Sequence, residues 1–188
     1  MKKELIKNVI YTSIILLIAI ISTYIIYDKF KNDRETDFNS KSLEVVYHNS
    51  TKDKIEITKV TPVTDSVGLS SNAYRLSIKN NLTVGVDYTI KIKDDLEKIL
   101  EDECGASQIS KNDIRISIKA GKGTNKIYDL IDLEDDILFE NTLKALEKEE
   151  IVIRVWINKD SAFGGSNLHY HGLIQVLEND SIVAINTK

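Results

Sequence analysis

With 188 residues, a formal net charge of -4 and 42% hydrophobic residues, the chain has room for about one domain and is neither a disordered tail nor an all-membrane protein. Its apolar residues are unevenly spread, which excludes an ordinary cytosolic globule: 20 consecutive residues, 8–27, carry no charge, and the rest is polar and rich in β-branched residues. From Glu35 onward 19 basic residues stand against 26 acidic ones, a balance that argues against a nucleic-acid binder.

At about 1.5 Å rise per residue the uncharged stretch makes about 30 Å of helix, enough to cross a bilayer core. A signal peptidase site needs small residues two apart, and the candidates fail: Ala19 is matched with Ile21, Ser22 with Tyr24 and Thr23 with Ile25. The only cysteine, Cys104, lies too far away for lipid attachment there. Residues 8–27 are therefore expected to be an uncleaved signal anchor. Lys2, Lys3 and Lys7 precede it and Lys29, Lys31 and Arg34 follow, close to a tie by the positive-inside rule. The N-terminal amine and the short basic tail tip the balance, placing residues 1–7 in the cytoplasm and the long C-terminal part outside. Tyr11 at one end and Tyr24 with Tyr27 at the other suit the two interfaces. Thr12, Ala19 and Thr23 read as ordinary variation in a lipid-facing helix rather than a helix-pairing stripe. Residues 28–42 are polar and read as a juxtamembrane linker.

Beyond it, in residues 43–188, alternation takes over. Ile55 and Ile57; Tyr74, Leu76 and Ile78; Tyr88, Ile90 and Ile92; and Ile114, Ile116 and Ile118 each alternate with polar residues, the pattern of half-buried strands. Residues 151–157, 173–177 and 182–185 are more continuously apolar and are expected to be covered on both faces. With residues 43–48 this makes eight or nine strands separated by polar turns. The expected fold is all-β, a single β-sandwich of the immunoglobulin-like or jelly-roll type. Residues 94–103 carry Leu96, Ile99 and Leu100 at helical spacing and predict a short helix. Residues 133–150 are helical by composition alone.

The order of features, from KIEITKVTPVTDSVG through AYRLSIKNN, YTIKIKDD, NDIRISIKAG and DLIDLEDDILFENTLKALEKEEIVIRVWI to HYHGLIQV, resembles a group of uncharacterised Gram-positive membrane-anchored surface proteins. These have one extracellular β-sandwich and are distantly similar to the camelysin and biofilm-fibre type. The resemblance spans about residues 50–178, and its motifs are strand patterns. It implies a fold and a cell-surface setting, with no activity to carry over. It also implies that residues 137–146 are extended, turn at residues 147–150 and form a hairpin with the strand containing Trp156.

Few residues point to chemistry. His169 and His171 are two apart, so on a strand both imidazoles share a face and would meet one zinc or copper ion if a carboxylate or His48 joined them. Two ligands do not make a site, and the plainer reading is a pair facing solvent or filling a strand edge. The acidic runs Asp94, Asp95, Glu97, Glu101, Asp102, Glu103 and Asp129, Asp132, Glu134, Asp135, Asp136 lack calcium-loop spacing and read as solvated loops.

The outward rows hold Arg75, Lys79, Lys91, Lys93, Arg115 and Lys119, a basic face for anionic wall polymer or lipid headgroups if the strands are neighbours. Lysines on exposed strands also guard against edge aggregation. Trp156, the one tryptophan, is expected under a loop; exposed beside Arg154, it would instead mark a binding patch. Residues 161–166 lack a nucleophile elbow or phosphate-loop lysine, and no Ser, His and acid arrangement or base beside Cys104 is recognisable.

The chain is thus expected to be a non-catalytic, cofactor-free cell-surface protein contacting another protein or a wall polymer. The alternatives are a fibre or matrix subunit assembled by strand pairing, and a metal-binding module built on His169 and His171.

Overall fold

The computed structural model of the chain describes residues 42–58, 61–101, 107–161, 168–179 and 181–183. The expected membrane span 8–27, the linker through residue 41 and Cys104 lie outside the described residues. The chain divides into two units, Met1–Lys41 and Ser42–Lys188, and every described residue belongs to the second. Among the described residues no helix is long and apolar enough to cross a membrane.

Period-two alternation becomes strands: β1 Leu43–Tyr47, β2 Lys54–Thr58, β3 Tyr74–Asn80, β4 Val86–Asp94, β5 Ile114–Ala120, β6 Lys126–Asp129, β7 Ile137–Leu143, β8 Lys148–Ile157, β9 His169–Glu178 and β10 Ser181–Ile182. They form two antiparallel sheets. The first runs β1-β3-β8-β5-β6; the second runs β10-β9-β4-β7, with β2 also on β9. β2 and β10 share one flank of β9, β2 against residues 169–173 and β10 against residues 177 and 178.

The rows expected to face inward do so. Ile55, Leu76, Ile78, Ile90, Ile92, Ile114, Ile116, Ile151 and Ile153 are buried in one core built from both sheets. The protein is therefore all-β and sandwich-like. Burial of these branched chains, at roughly 1.5–3 kcal/mol each, is the main force holding the sheets together.

The expected hairpin between residues 137–146 and the Trp156 strand does not form. Residues Ile137–Leu143 are extended, yet they pair with β4 in the other sheet. Both flanks of β8 are already taken, by β3 and β5, so β7 has no place beside it. The chain crosses between sheets at residues 144–147, and no α-helix forms over residues 133–150. Two 3-10 turns, Leu130–Asp132 and Glu134–Asp136, precede β7 instead.

The short helix expected near residues 94–103 is present as Leu96–Glu101. The Asp95 carboxylate accepts the Lys98 N–H at 3.1 Å, as an N-cap should. Its apolar spacing does not face the core, since Leu96 and Leu100 are exposed.

Candidate contact surface

Residues directly opposite one another in an antiparallel pair share a face. On the outer face of the first sheet, Arg75 and Lys119 lie on either side of Val152. Lys79 lies between Glu44 and Lys148, Arg154 opposite Ser117, and Arg115 between Trp156 and Asp129. The register thus gathers Arg75, Lys79, Arg115, Lys119, Lys148 and Arg154 on one surface.

Some of this charge is neutralised locally. Arg115 is 3.3 Å from Asp129 and 3.6 Å from Asp65, and Lys148 is 2.8 Å from Glu150. Arg75, Lys79, Lys119 and Arg154 make no ion pair with a described residue. Lys91 and Lys93 do not join the face, because β4 belongs to the other sheet; Lys93 there holds Asp136 at 3.0 Å.

Beside Arg75 and Arg154 lies an open groove of about 900 Å³, lined also by His48, Asn49, Ser71, Asn72 and Tyr74. Its walls are braced by backbone bonds. Asn49 Oδ1 accepts the Arg75 N–H at 2.7 Å, the His48 N–H donates to Arg75 O at 2.8 Å, and Arg154 Nε donates to Ser71 O at 3.3 Å. The Tyr74 hydroxyl accepts the Glu56 N–H at 3.2 Å. Burial pushes the Tyr74 phenol up, against a hydrogen bond from Glu56 that lowers it and alongside the Glu56 charge that raises it. It is therefore a neutral hydroxyl at physiological pH. Guanidinium forks among amides and hydroxyls match phosphate or carboxylate oxygens.

Trp156 is buried and takes no part in this surface. It lies on the outer row of β8 under the one-turn helix Asp65–Gly68, so the expectation of a covering loop holds.

His169 and His171 share the outer face of the second sheet, with ring centroids 5.1 Å apart, and His171 is buried opposite Glu56 of β2. His48 is on the other sheet, next to Ser77 and Glu150, and does not join them. Among the described residues no group of three or more His, Cys, Asp or Glu is arranged to hold a metal. Several members of the acidic runs are ion-paired: Asp94 and Asp136 with Lys111, Asp95 with Lys54, and Asp129 with Arg115.

Asn49, Ser71, Asn72 and Tyr74 are not among the residues expected from the sequence to form a site. The Ser- and Asn-rich run directly before Arg75 was the available signal. Comparison with known protein families, with curated proteins and with solved structures finds no match.

Proposed function

We propose that the chain is a single-pass membrane protein, its N-terminus cytoplasmic, whose β-sandwich of immunoglobulin-like or jelly-roll type stands outside the cell. There it acts without catalysis, by holding an anionic partner, either a wall polymer or an acidic protein surface. The uncharged stretch 8–27 supports the anchor, and the strand patterns quoted above support the Gram-positive surface setting. The observation that carries the contact reading is the concentration of Arg75, Lys79, Lys119 and Arg154, without described ion-pair partners, on one sheet face of an acid-rich domain.

Two measurements test this reading. Protease added to intact cells is expected to remove the domain and spare the anchor; full protection would overturn the orientation. Full-length protein in vesicles is expected to retain a polyglycerol-phosphate polymer in a salt-sensitive way. Arg75→Glu combined with Arg154→Glu should abolish that retention, and unchanged retention would sink the contact reading.

A second reading, a fibre subunit, is favoured by β7, a seven-residue edge strand with one flank unoccupied among the described residues. Light scattering separates the two, since a strictly monomeric protein at high concentration counts against assembly.

A further inference from the structure

The groove beside Arg75 and Arg154 offers hydrogen-bond acceptors as well as donors. On the donor side, Arg154 Nε is engaged by Ser71 O at 3.3 Å, which sets the guanidinium plane and leaves both terminal nitrogens for a ligand. Asn49 Oδ1 is occupied by the Arg75 N–H at 2.7 Å, so the amide nitrogen Nδ2 keeps two donors. Arg75 is exposed and makes no ion pair with a described residue. On the acceptor side, the Ser70 hydroxyl donates to Ser66 O at 3.1 Å and the Ser71 hydroxyl to Asn72 O at 3.5 Å, which leaves both oxygens with lone pairs. Glu56, also exposed, is the one carboxylate in the lining.

The groove is therefore not a uniformly basic slot. Two guanidinium groups stand against Glu56, and Glu150 keeps its charge beside the His48 wall, 3.8 Å from Nε2 and 2.8 Å from Lys148. The turn that carries Asn49 adds Lys52 and Asp53, which offset one another. A dense polyanion meets Glu56 as a repulsion. A ligand with hydroxyls between its charges donates to that same carboxylate.

The anchors of a protein partner are missing as well. Protein interfaces concentrate their energy in apolar and aromatic side chains set in dry pockets. None of the exposed large apolar side chains among the described residues lines the groove. Its one tyrosine, Tyr74, is half-buried, with its hydroxyl on the Glu56 backbone.

We propose, on the contact reading above, that the groove recognises a polyol phosphate, a chain in which free hydroxyls alternate with singly charged phosphodiesters, and not an acidic protein surface. Arg75 and Arg154 take phosphate oxygens, while Glu56 and the Ser70 and Ser71 oxygens accept the ligand's hydroxyls. The donors stand on three walls: Asn49 after β1, Arg75 on β3 and Arg154 on β8. Tetrahedral phosphate oxygens accept from several directions, whereas the two oxygens of a carboxylate lie in one plane. Arg154 is two residues beyond Val152, the residue opposite Arg75, so the two forks are diagonal neighbours about 7–8 Å apart at the backbone. One chain that repeats phosphate and polyol passes both.

The test uses the full-length protein in phosphatidylcholine vesicles, sedimented with three polymers matched in charge: polyglycerol phosphate, inorganic polyphosphate and polyglutamate. Polyglycerol phosphate is expected to bind roughly 10-fold more tightly than either of the others, as two or three added hydrogen bonds give. That comparison needs no variant. Glu56→Ala is expected to weaken polyglycerol phosphate roughly 2–10-fold and to strengthen polyphosphate, because it removes an acceptor from one ligand and a repulsion from the other. Damage to the fold would weaken both.

Polyphosphate or polyglutamate held by the unmodified protein as tightly as polyglycerol phosphate, in a way that Arg75→Glu with Arg154→Glu abolishes, overturns this inference and leaves the anionic contact standing. Glu56→Ala that moves both phosphate polymers in one direction, or moves neither, also overturns it, by reducing the groove to net charge or making Glu56 structural. Absence of binding to all three polymers, or binding undiminished by the two arginine substitutions, overturns the contact reading and the inference with it.

Discussion

Gly68 lies so close to Trp156 that a Cβ built on it would stand 2.3 Å from the indole Cδ2. The backbone of the one-turn helix Asp65–Gly68 therefore serves as a lid on an aromatic ring that belongs to the outer row of β8. Gly68→Ala must push the lid off the ring or tilt the ring into the sheet. Overpacking of this kind costs about 1–3 kcal/mol, or roughly 3–10 °C in the thermal midpoint of a domain this size. Since the chain has one tryptophan, its emission reports the site directly and should shift to the red. An unshifted spectrum with an unchanged midpoint would show that the lid yields freely.

Asn80 organises the end of the sandwich where the chain enters. Fully buried, it donates from Nδ2 to Val84 O at 2.7 Å and Lys144 O at 2.9 Å, and its Oδ1 accepts the Leu82 N–H at 2.8 Å. One side chain thus satisfies backbone groups of two loops, residues 81–85 between β3 and β4 and residues 144–147 between β7 and β8. Asn80→Ala leaves them without a partner and is expected to cost about 2–4 kcal/mol in urea unfolding. Asn80→Asp should cost at least as much, because a carboxylate would face two carbonyl oxygens. A loss below about 0.5 kcal/mol in both variants contradicts this account.

The faces of the strands were legible in the sequence, and their partners were not. Period two tells which residues of β3, β4 and β5 turn inward, because Leu76, Ile90 and Ile116 repeat on every second position. It carries no information about which strand lies alongside. Here most consecutive strands cross between sheets; only β5 with β6 and β9 with β10 are neighbours in both chain and sheet. That is why Lys91 and Lys93, indistinguishable by pattern from Arg75 and Lys79, fall on the opposite sheet. The groove was illegible for the same reason, since Asn49 and Arg75 meet only through the β1 and β3 register. The burial of Trp156 was readable, because a tryptophan on the polar row of a doubly apolar strand needs a cover.

Three phenols are predicted to govern alkaline stability. Burial, then the Asp53 charge, raises Tyr47; burial, then the hydrogen bond to Glu149, raises Tyr88; burial, then the Asp94 charge, raises Tyr170. All three stay protonated in the folded protein above the ordinary phenol value of 10.0. The unfolded chain ionises there, so it binds fewer protons than the native state and stability falls as pH rises. The contribution is complete below pH 10 and is lost above it. Ultraviolet titration should show Tyr47, Tyr88 and Tyr170 ionising only on unfolding. Titration of these three near the ordinary phenol value in folded protein would refute the assignment.

The acid limb is predicted to centre on Asp136, where Lys111 ties three elements together. Its ammonium is 3.3 Å from Asp94 of β4 and 3.3 Å from Asp136 of the turn before β7, while Asp94 accepts the Tyr170 hydroxyl of β9 at 3.1 Å. Asp135 and Asp136 both have positive φ, at 50 and 60°, so the turn is held against its backbone preference. Partial burial opposes ionisation of Asp136, but hydrogen bonds and charge from Lys93 and Lys111 outweigh it and hold the carboxyl below its ordinary value. A depressed carboxyl stabilises the fold above the unfolded value of 3.8, and that stability is lost as pH falls through the folded value. Lys111→Met should raise the Asp136 titration midpoint, read by carboxyl carbon NMR, and make the acid limb shallower. In a cycle with Asp136→Asn, the coupling between the two positions should be about 0.5–1 kcal/mol at pH 7 and fade as pH falls through the folded Asp136 value, because a protonated carboxyl no longer attracts the ammonium. Coupling that stays unchanged after the Asp136 carboxyl has titrated would mean that Lys111 acts through packing of its stem and not through its charge.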